Sequence, residues 1–197
     1  PNPVKVELQR FLSRQQAAFR INPWPDLRQR RDRLRRLEKA LKANIQPLCA
    51  AINEDFGHRA KQETQLLEIF PTLENIRYTR RHLGRWMRPQ NRSTAIWFKP
   101  ARSQLLLQPL GVVGIIVPWN YPLYLALSPL ISAIAAGNRV LLKPSEATPA
   151  TAAVLKTLLA TVFSDSEVAV LLGDVEMAQI LTELPLDHLL FTGATEV

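Results

Sequence analysis

Two short polar clusters in this chain each follow a run of strand-forming residues, and together their side chains could bind a ligand. The apolar run 111–117 is followed by Trp119 and Asn120, and a second run is followed by Lys143 and Glu146. In an open α/β sheet, ligands bind outside the carboxyl ends of the strands, which is where these clusters fall. The pattern predicts a nucleotide-type site.

Lys143 and Glu146 have the functional groups that a ribose requires. A carboxylate accepts hydrogen bonds from both ribose hydroxyls, and an ammonium group donates hydrogen bonds to them. The alternative interpretation of the two residues is a surface ion pair ahead of a helix.

Asn120 lies between Pro118 and Pro122. A carboxamide on such a rigid turn can donate an N–H without titrating, as catalysis of a reaction with a developing negative charge requires. Taken alone, these residues favour an asparagine that only stabilises its turn.

The residues before these clusters predict helices. Apolar residues recur at spacings of three and four across 34–52, as one face of a helix requires. Pro47 would remove a hydrogen bond from a helix interior, so we expect a break near Asn44 with Pro47 in the first turn of the next helix. A further helical stretch is expected over 61–87, kinked or broken at Pro71.

From Gly111 onward, strand and helix patterns alternate. The expected strands are 111–117, 139–142, 168–172 and 188–191, and the expected helices are 123–136, 148–163 and 175–184. Thr148 is expected to cap the second of these helices. The alternation predicts an α/β fold with right-handed crossovers and a Rossmann-like parallel sheet. Because the helix that should cover the last strand is missing, we expect a fragment cut inside a domain, or an early stop.

Between the two parts, the strand-forming runs 95–98 and 104–108 flank Lys-Pro-Ala-Arg-Ser. They predict extended arms or a hairpin whose exposed edge pairs with another subunit. The expected organisation is a helical segment at 1–94, arms at 95–109 and a nucleotide-binding domain at 110–197.

The net charge of +8 is unevenly distributed along the chain. The first 102 residues carry 22 Lys and Arg against 9 Asp and Glu, whereas the rest carry 3 against 8. Six arginines lie between positions 28 and 36, interspersed with leucines at helical spacing and without aromatic residues that could stack on bases. We therefore expect a solvated helix face and no nucleic-acid partner.

The longest apolar stretch, 110–137, is interrupted by three prolines and an asparagine, which argues against a membrane span. The single cysteine and the absence of an apolar signal core at the start favour a reducing compartment. We expect a cytoplasmic location.

Three motifs resemble the cofactor domain of the NAD(P)-dependent aldehyde dehydrogenases. They are Pro-Trp-Asn-Tyr-Pro at 118–122, Gly-Asn-Arg-Val-Leu-Leu-Lys-Pro-Ser-Glu at 137–146 and Phe-Thr-Gly-Ala-Thr-Glu-Val at 191–197. Three further segments look most like the coniferyl-aldehyde and fatty-aldehyde branch: Phe-Gly-His at 56–58, Glu-Ile-Phe-Pro at 68–71 and Leu-Gly-Asp at 172–174. The match keeps the family's order and covers only the amino-terminal part of a family member.

The resemblance implies a role for each residue of the site. The cofactor, NAD with NADP also tolerated, would be bound by Ile116, Val117, Pro118, Trp119, Asn120, Lys143, Ser145, Glu146, Thr192, Gly193 and Ala194. Asn120 would donate to the oxyanion that forms when a thiolate adds to an aldehyde. Glu146 would repel a 2′-phosphate, so we expect a preference for NAD. Gly193 would let the 192–195 turn approach the pyrophosphate, and Ala194 departs from the serine that most family members have.

The resemblance also implies that the catalytic cysteine and the general-base glutamate lie beyond Val197. Cys49 is expected in a helix core, Glu68 and Glu196 do not match the base motif, and the three histidines lack metal-ligand spacing. This chain alone is expected to be inactive, and the full protein is expected to be a homodimer that oxidises aromatic or aliphatic aldehydes to acids. The alternative is a truncated, non-catalytic module that binds a nucleotide or another subunit.

Overall fold

The computed structural model describes residues 2–194. Its first part is helical, as predicted. The helices are α1 Pro3–Ile21, α2 Leu27–Ala43, α3 Ile45–Phe56, α4 Lys61–Thr64 and α5 Phe70–Trp86, with a π-helical turn at Gln65–Ile69 between the last two. Among the described residues, none of the helices combines the length and the apolar character needed to cross a bilayer.

The helix boundaries follow the local sequence signals. Asp26 and Gln29 form a reciprocal capping box at the start of α2. Asn44 separates α2 from α3, and Pro47 lies in the first turn of α3, as predicted. Pro71 lies in the first turn of α5, directly after the π-helical turn. A proline lacks the backbone N–H, so in the first turn of a helix it removes no intrahelical hydrogen bond.

The arm region differs from its prediction. Residues 95–98, expected as a strand, contain a short 3₁₀ helix at Ile96–Phe98, and the polar segment Gln90–Arg92, outside the expected arms, forms β1. Strand β1 pairs antiparallel with β2, Ser103–Leu105. Residues with high strand propensity form strands where their side chains pack on a half-buried sheet surface. Residues 95–98 have no such surface to pack on, since Trp97 is 89% exposed.

The second part alternates strand and helix as predicted. Its elements are β3 Val112–Ile116, α6 Tyr124–Ala136, β4 Arg139–Lys143, α7 Pro149–Ala160, β5 Val168–Val170, α8 Val175–Glu183 and β6 His188–Phe191. The four strands form one parallel sheet in the order β5-β4-β3-β6. This confirms the predicted α/β class with a Rossmann-like sheet.

Alternate residues of each strand enter two separate cores, as the two-residue period of a strand requires. In β3, Val113 and Ile115 pack with α2, α3, α5, α6 and α7 on one face. Val112 and Ile116 pack with α1 and α8 on the other face. Helix α1 therefore lies on the face of the sheet that α8 covers, and the sheet is covered by helices on both faces.

Two of the six arginines between positions 28 and 36 contradict the predicted solvated face. Arg30 is buried, and its Nη1 donates to the carbonyl oxygens of Ala135 and Ala136 at the end of α6. Arg33 is also buried, and its Nη2 lies 2.8 Å from Glu167 Oε1. A helix leaves its last carbonyl groups without intrahelical partners, so a cation at the end of α6 is stabilising. The other four arginines are exposed, as expected.

The start of α7 also differs from its prediction. Thr148 occupies the N-cap position, but its side chain caps nothing in the helix. The carboxylate of Asp55, from the end of α3, accepts hydrogen bonds from the backbone N–H groups of Ala150 and Thr151 instead. A capping group from another helix cannot be recognised from sequence spacing.

Candidate active site and cofactor cleft

The carboxyl ends of three neighbouring strands lie side by side. Ile116, the last residue of β3, pairs in register with Lys143 of β4 on one side and with Phe191 of β6 on the other. From β3 the chain crosses to β4 on one face of the sheet, and from β5 it returns to β6 on the other face. The gap beyond β3 is therefore a topological switch point, the usual ligand position in open α/β sheets.

A cleft of about 640 Å³ opens at this point. Its walls include ten of the eleven residues that the sequence proposed for cofactor binding: Ile116, Val117, Pro118, Trp119, Lys143, Ser145, Glu146, Thr192, Gly193 and Ala194. The structure thus brings together side chains from three separate motifs. Their role in binding a cofactor stays a prediction.

Lys143 and Glu146 form a tight pair at the cleft. Lys143 is 1% exposed, and its Nζ donates to Glu146 Oε2 across 2.5 Å. This hydrogen bond is the main cause that lowers the pKa of the Glu146 carboxyl below its ordinary value. The pair lies ahead of α7, and only its Glu146 end is exposed, because the Lys143 side chain is buried. It presents a fixed donor and a fixed acceptor to the cleft.

The turn after β6 forms another wall. The backbone N–H of Thr192 donates to the Ile116 carbonyl oxygen, which joins the turn to the end of β3. A Cβ at Gly193 would lie 2.5 Å from the Phe191 ring, so a residue with a side chain would force the ring or the turn to move. Residues 195–197, the end of the third motif, lie outside the described part of the chain.

Sequence reasoning missed the part of the cleft formed by α8. Its lining residues Val175, Ala178, Gln179 and Thr182 follow the i, i+3, i+4, i+7 spacing of one helix face. That spacing could have been recognised from the sequence once α8 was placed after a strand of the same sheet.

Asn120 does not line the cleft. It is exposed on the turn between β3 and α6, next to Trp119 of the cleft wall. Its Oδ1 accepts a hydrogen bond from the Tyr121 backbone N–H at 3.1 Å. Within residues 2–194 its Nδ2 donates no hydrogen bond to the protein, and so the amide N–H is the part of this side chain that can bind another molecule.

Residues 117–124, here called the Asn120 turn, contact two buried residues that the sequence did not single out as functional. Glu68 is fully buried, and its Oε2 accepts from the backbone N–H groups of Leu123 and Tyr124. Burial raises the pKa of the Glu68 carboxyl, against the lowering effects of these two N–H groups and of Arg59. Arg59 Nη1 donates to the Asn120 carbonyl oxygen.

Cys49 lies in the core, as predicted. It is 4% exposed, and burial raises the pKa of its thiol. Reactive cysteines are accessible and have a lowered pKa, so the environment of Cys49 is the opposite of that of a nucleophile. Within the described residues, no group of three or more His, Cys, Asp or Glu side chains could hold a metal ion.

A parallel sheet covered by helices on both faces, with a cleft at its switch point, defines a Rossmann-like domain. The aldehyde dehydrogenase family model matches residues 5–197. The chain therefore belongs to the aldehyde dehydrogenase family.

Individual relatives agree with this assignment. A probable coniferyl aldehyde dehydrogenase from Pseudomonas aeruginosa is 49% identical over 97% of this chain and 40% of its own length. A coniferyl aldehyde dehydrogenase from a Pseudomonas species is 42% identical over 84% of this chain and 34% of its own length. The chain thus spans at most two fifths of these curated relatives.

A solved structure supports the fold. It is described as the substrate-bound state of Staphylococcus aureus AldH and superposes with a TM-score of 0.89 at 34% identity. The superposition covers 92% of this chain and 40% of the other. The part that this chain matches is again a minority of the relative.

Proposed function

We propose that this chain is the cofactor-binding part of an NAD(P)-dependent aldehyde dehydrogenase that oxidises an aldehyde to the carboxylic acid. The observation that carries the proposal is the cleft at the ends of β3, β4 and β6, where three family motifs meet. The family match supports the reaction class.

The cleft residues fit a nicotinamide dinucleotide. We propose that Lys143 donates to the adenosine ribose, that Glu146 accepts from its hydroxyls, and that the turn at 192–194 approaches the pyrophosphate. The 2.5 Å contact between Lys143 and Glu146 supports this, since it fixes a donor beside an acceptor before any ligand binds. These residues would hold the dinucleotide, which would supply the hydride acceptor for the oxidation. NAD is the proposed cofactor, because an ionised Glu146 repels a 2′-phosphate.

Asn120 is proposed as the catalytic residue of this chain. Its Nδ2 would donate to the oxyanion that develops when a thiolate adds to the aldehyde carbonyl. Support comes from the amide geometry, because Oδ1 already accepts from Tyr121 and Nδ2 is left as the donor. The same bond keeps the amide in one orientation.

The nucleophilic thiol and the general base are proposed to come from outside this chain. Cys49, the single cysteine of this chain, is buried in α3 and is only 4% exposed. We therefore propose that the chain by itself does not oxidise aldehydes.

The substrate is proposed to be an aromatic aldehyde of the coniferyl aldehyde kind, or an aliphatic one. This rests on the relatives from Pseudomonas aeruginosa and Pseudomonas sp., which are described as coniferyl aldehyde dehydrogenases.

We further propose a cytoplasmic homodimer. Support for the dimer comes from the arm, where Ile96, Trp97 and Phe98 are 70%, 89% and 68% exposed. Large exposed apolar side chains grouped in this way are typical of an interface. Sedimentation of the full-length protein as a monomer would contradict the dimer.

The test is aldehyde-dependent reduction of NAD by the full-length protein, with coniferyl aldehyde as the first substrate and aliphatic aldehydes next. The N120A variant should lower kcat by about 10² to 10³, the usual effect of losing one oxyanion donor. A full-length protein that binds NAD but oxidises none of the aldehydes would favour the alternative, a non-catalytic nucleotide-binding module.

A further inference from the structure

The Asn120 turn, residues 117–124, is attached to the helical segment by Arg59 and Glu68. Arg59 lies between α3 and α4, and Glu68 lies in the π-helical turn. Neither residue lines the cleft or reaches the surface, since their side chains are 6% and 0% exposed. Both nevertheless contact the backbone of the turn that carries the proposed oxyanion donor.

Glu68 binds the part of the turn that follows Asn120 in the chain. One carboxylate oxygen accepts from Leu123 N at 2.8 Å and from Tyr124 N at 3.1 Å. These N–H groups belong to the start of α6, where a helix leaves its first N–H groups without intrahelical partners. A buried carboxylate there binds the end of the turn at two points.

Arg59 contacts Asn120 itself. Its Nη1 donates to the Asn120 carbonyl oxygen at 3.4 Å and lies 3.0 Å from Glu68 Oε1. The approach to Glu68 is an ion pair, and the Oε1 atom has no aligned hydrogen-bond donor among the described residues. The Arg59 guanidinium also lies 5.0 Å from the ring centroid of Tyr121, whose N–H orients the Asn120 amide.

A second aromatic ring limits the movement of Arg59. The Phe56 ring centroid lies 5.0 Å from the guanidinium carbon and 6.3 Å from the Trp119 ring of the cleft wall. Arg59 therefore contacts two rings and one carbonyl group of the same small region. A planar guanidinium can make these contacts together, whereas a lysine ammonium cannot.

Burying an ion pair costs desolvation free energy, and replacing such a pair with apolar residues is often neutral or stabilising. The buried pair of Arg59 and Glu68 therefore calls for a role other than stability. We propose that Arg59 and Glu68 are positioning residues that hold the Asn120 amide in its donating orientation. The proposal rests on the oxyanion role of Asn120 proposed above. Arg59 and Glu68 touch neither substrate nor cofactor and act through the turn.

The test is a double-mutant cycle on kcat in the full-length protein. The variant E68Q is nearly isosteric. Its amide oxygen can still accept from the two N–H groups, whereas its neutral amide nitrogen does not attract Arg59. We expect E68Q to lower kcat by about tenfold in the wild-type background and by less than about twofold in the N120A background. NAD affinity should change by less than about twofold in both.

Glu38 provides a matched control. It is 7% exposed, lies in the helical segment and pairs with Arg77 and Arg80, but it does not contact the Asn120 turn. The variant E38Q should leave kcat unchanged even if it lowers the unfolding temperature. If E68Q does not fold, R59K takes its place in the cycle with the same expectation.

Each outcome decides the proposal. A larger kcat loss in the wild-type background than in the N120A background supports it. Equal losses in both backgrounds, or no loss in either, would overturn it while leaving Asn120 as the donor. Normal kcat in N120A itself would overturn the oxyanion role and this inference together.

Discussion

Asp55 at the end of α3 caps the start of α7 through Thr151. Its Oδ2 accepts from the Thr151 backbone N–H at 2.8 Å and from the Thr151 hydroxyl at 2.6 Å. Its Oδ1 accepts from the Ala150 N–H at 3.0 Å. One side chain thus joins the helical segment to the second crossover helix of the sheet, directly after the strand end that carries Lys143.

The variant D55A should destabilise the fold. It leaves two N–H groups at the start of α7 without their capping acceptor, and the loss of a cap costs about 1–2 kcal/mol. Urea denaturation should show a lower midpoint with an unchanged slope. The neighbouring exposed Glu54 provides the control, and E54A should have the wild-type midpoint. Equal midpoints for D55A and E54A would show that Asp55 does not cap α7.

The variant E146Q should weaken NAD binding. Hydrogen bonds to charged groups contribute about 1.5–3 kcal/mol, so we expect the Kd for NAD to rise by about tenfold or more. The Kd for NADP should fall or stay the same, because the repulsion of a 2′-phosphate is removed. Calorimetric titration of both cofactors measures this, with E183Q as a control, since Glu183 ends α8, pairs with Lys5 of α1 and does not line the cleft. Unchanged affinities for both cofactors in E146Q would contradict the ribose assignment.

The pH dependence of NAD affinity should follow the lowered pKa of Glu146. Its hydrogen bond from Lys143 favours the carboxylate, so the ionised form persists to a pH below the ordinary range for glutamate. The carboxylate that we propose to bind the ribose is therefore present above this lowered pKa and is lost only as the pH falls through it. NAD affinity should therefore be flat from about pH 8 down to about pH 5.5. If NAD affinity declined within that window and E146Q abolished the decline, the pKa of Glu146 would not be lowered as expected.

Cys49 should be inert towards thiol reagents in the native protein. It is 4% exposed, and burial raises the pKa of its thiol, so little thiolate is present and reagents cannot reach it. Alkylation of the full-length protein with iodoacetamide, followed by peptide mass spectrometry, should leave the Cys49 peptide unlabelled until a denaturant is added. Rapid native labelling at Cys49 would mean that it is accessible and that another thiol need not be the nucleophile.

The sequence predicted the sheet better than the arm. The buried strands β3 and β4 are continuous apolar runs, and the polar residues after them mark the strand ends, so local patterns sufficed. The short strand β1 has no such pattern. It forms because Gln90–Arg92 lies in register with Ser103–Leu105, and the Thr94 hydroxyl accepts from the Ser103 N–H.

The residues that the sequence did not reveal act over long separations. Nothing in the sequence around Glu68 indicates its partners, and only the fold brings it to the N–H groups of Leu123 and Tyr124. Arg30 was expected in solvent and instead caps α6, more than 100 residues away. Charge and spacing describe the neighbours along one helix, whereas these partners come from other elements.

The central claim is that the ends of β3, β4 and β6 form one dinucleotide site. Hydrogen–deuterium exchange of the full-length protein with and without saturating NAD tests it most directly. We expect slower exchange in peptides that contain residues 116–119, 143–146 and 192–194, with no change in α2. Protection confined to other regions, or protection of one of these segments without the others, would contradict it.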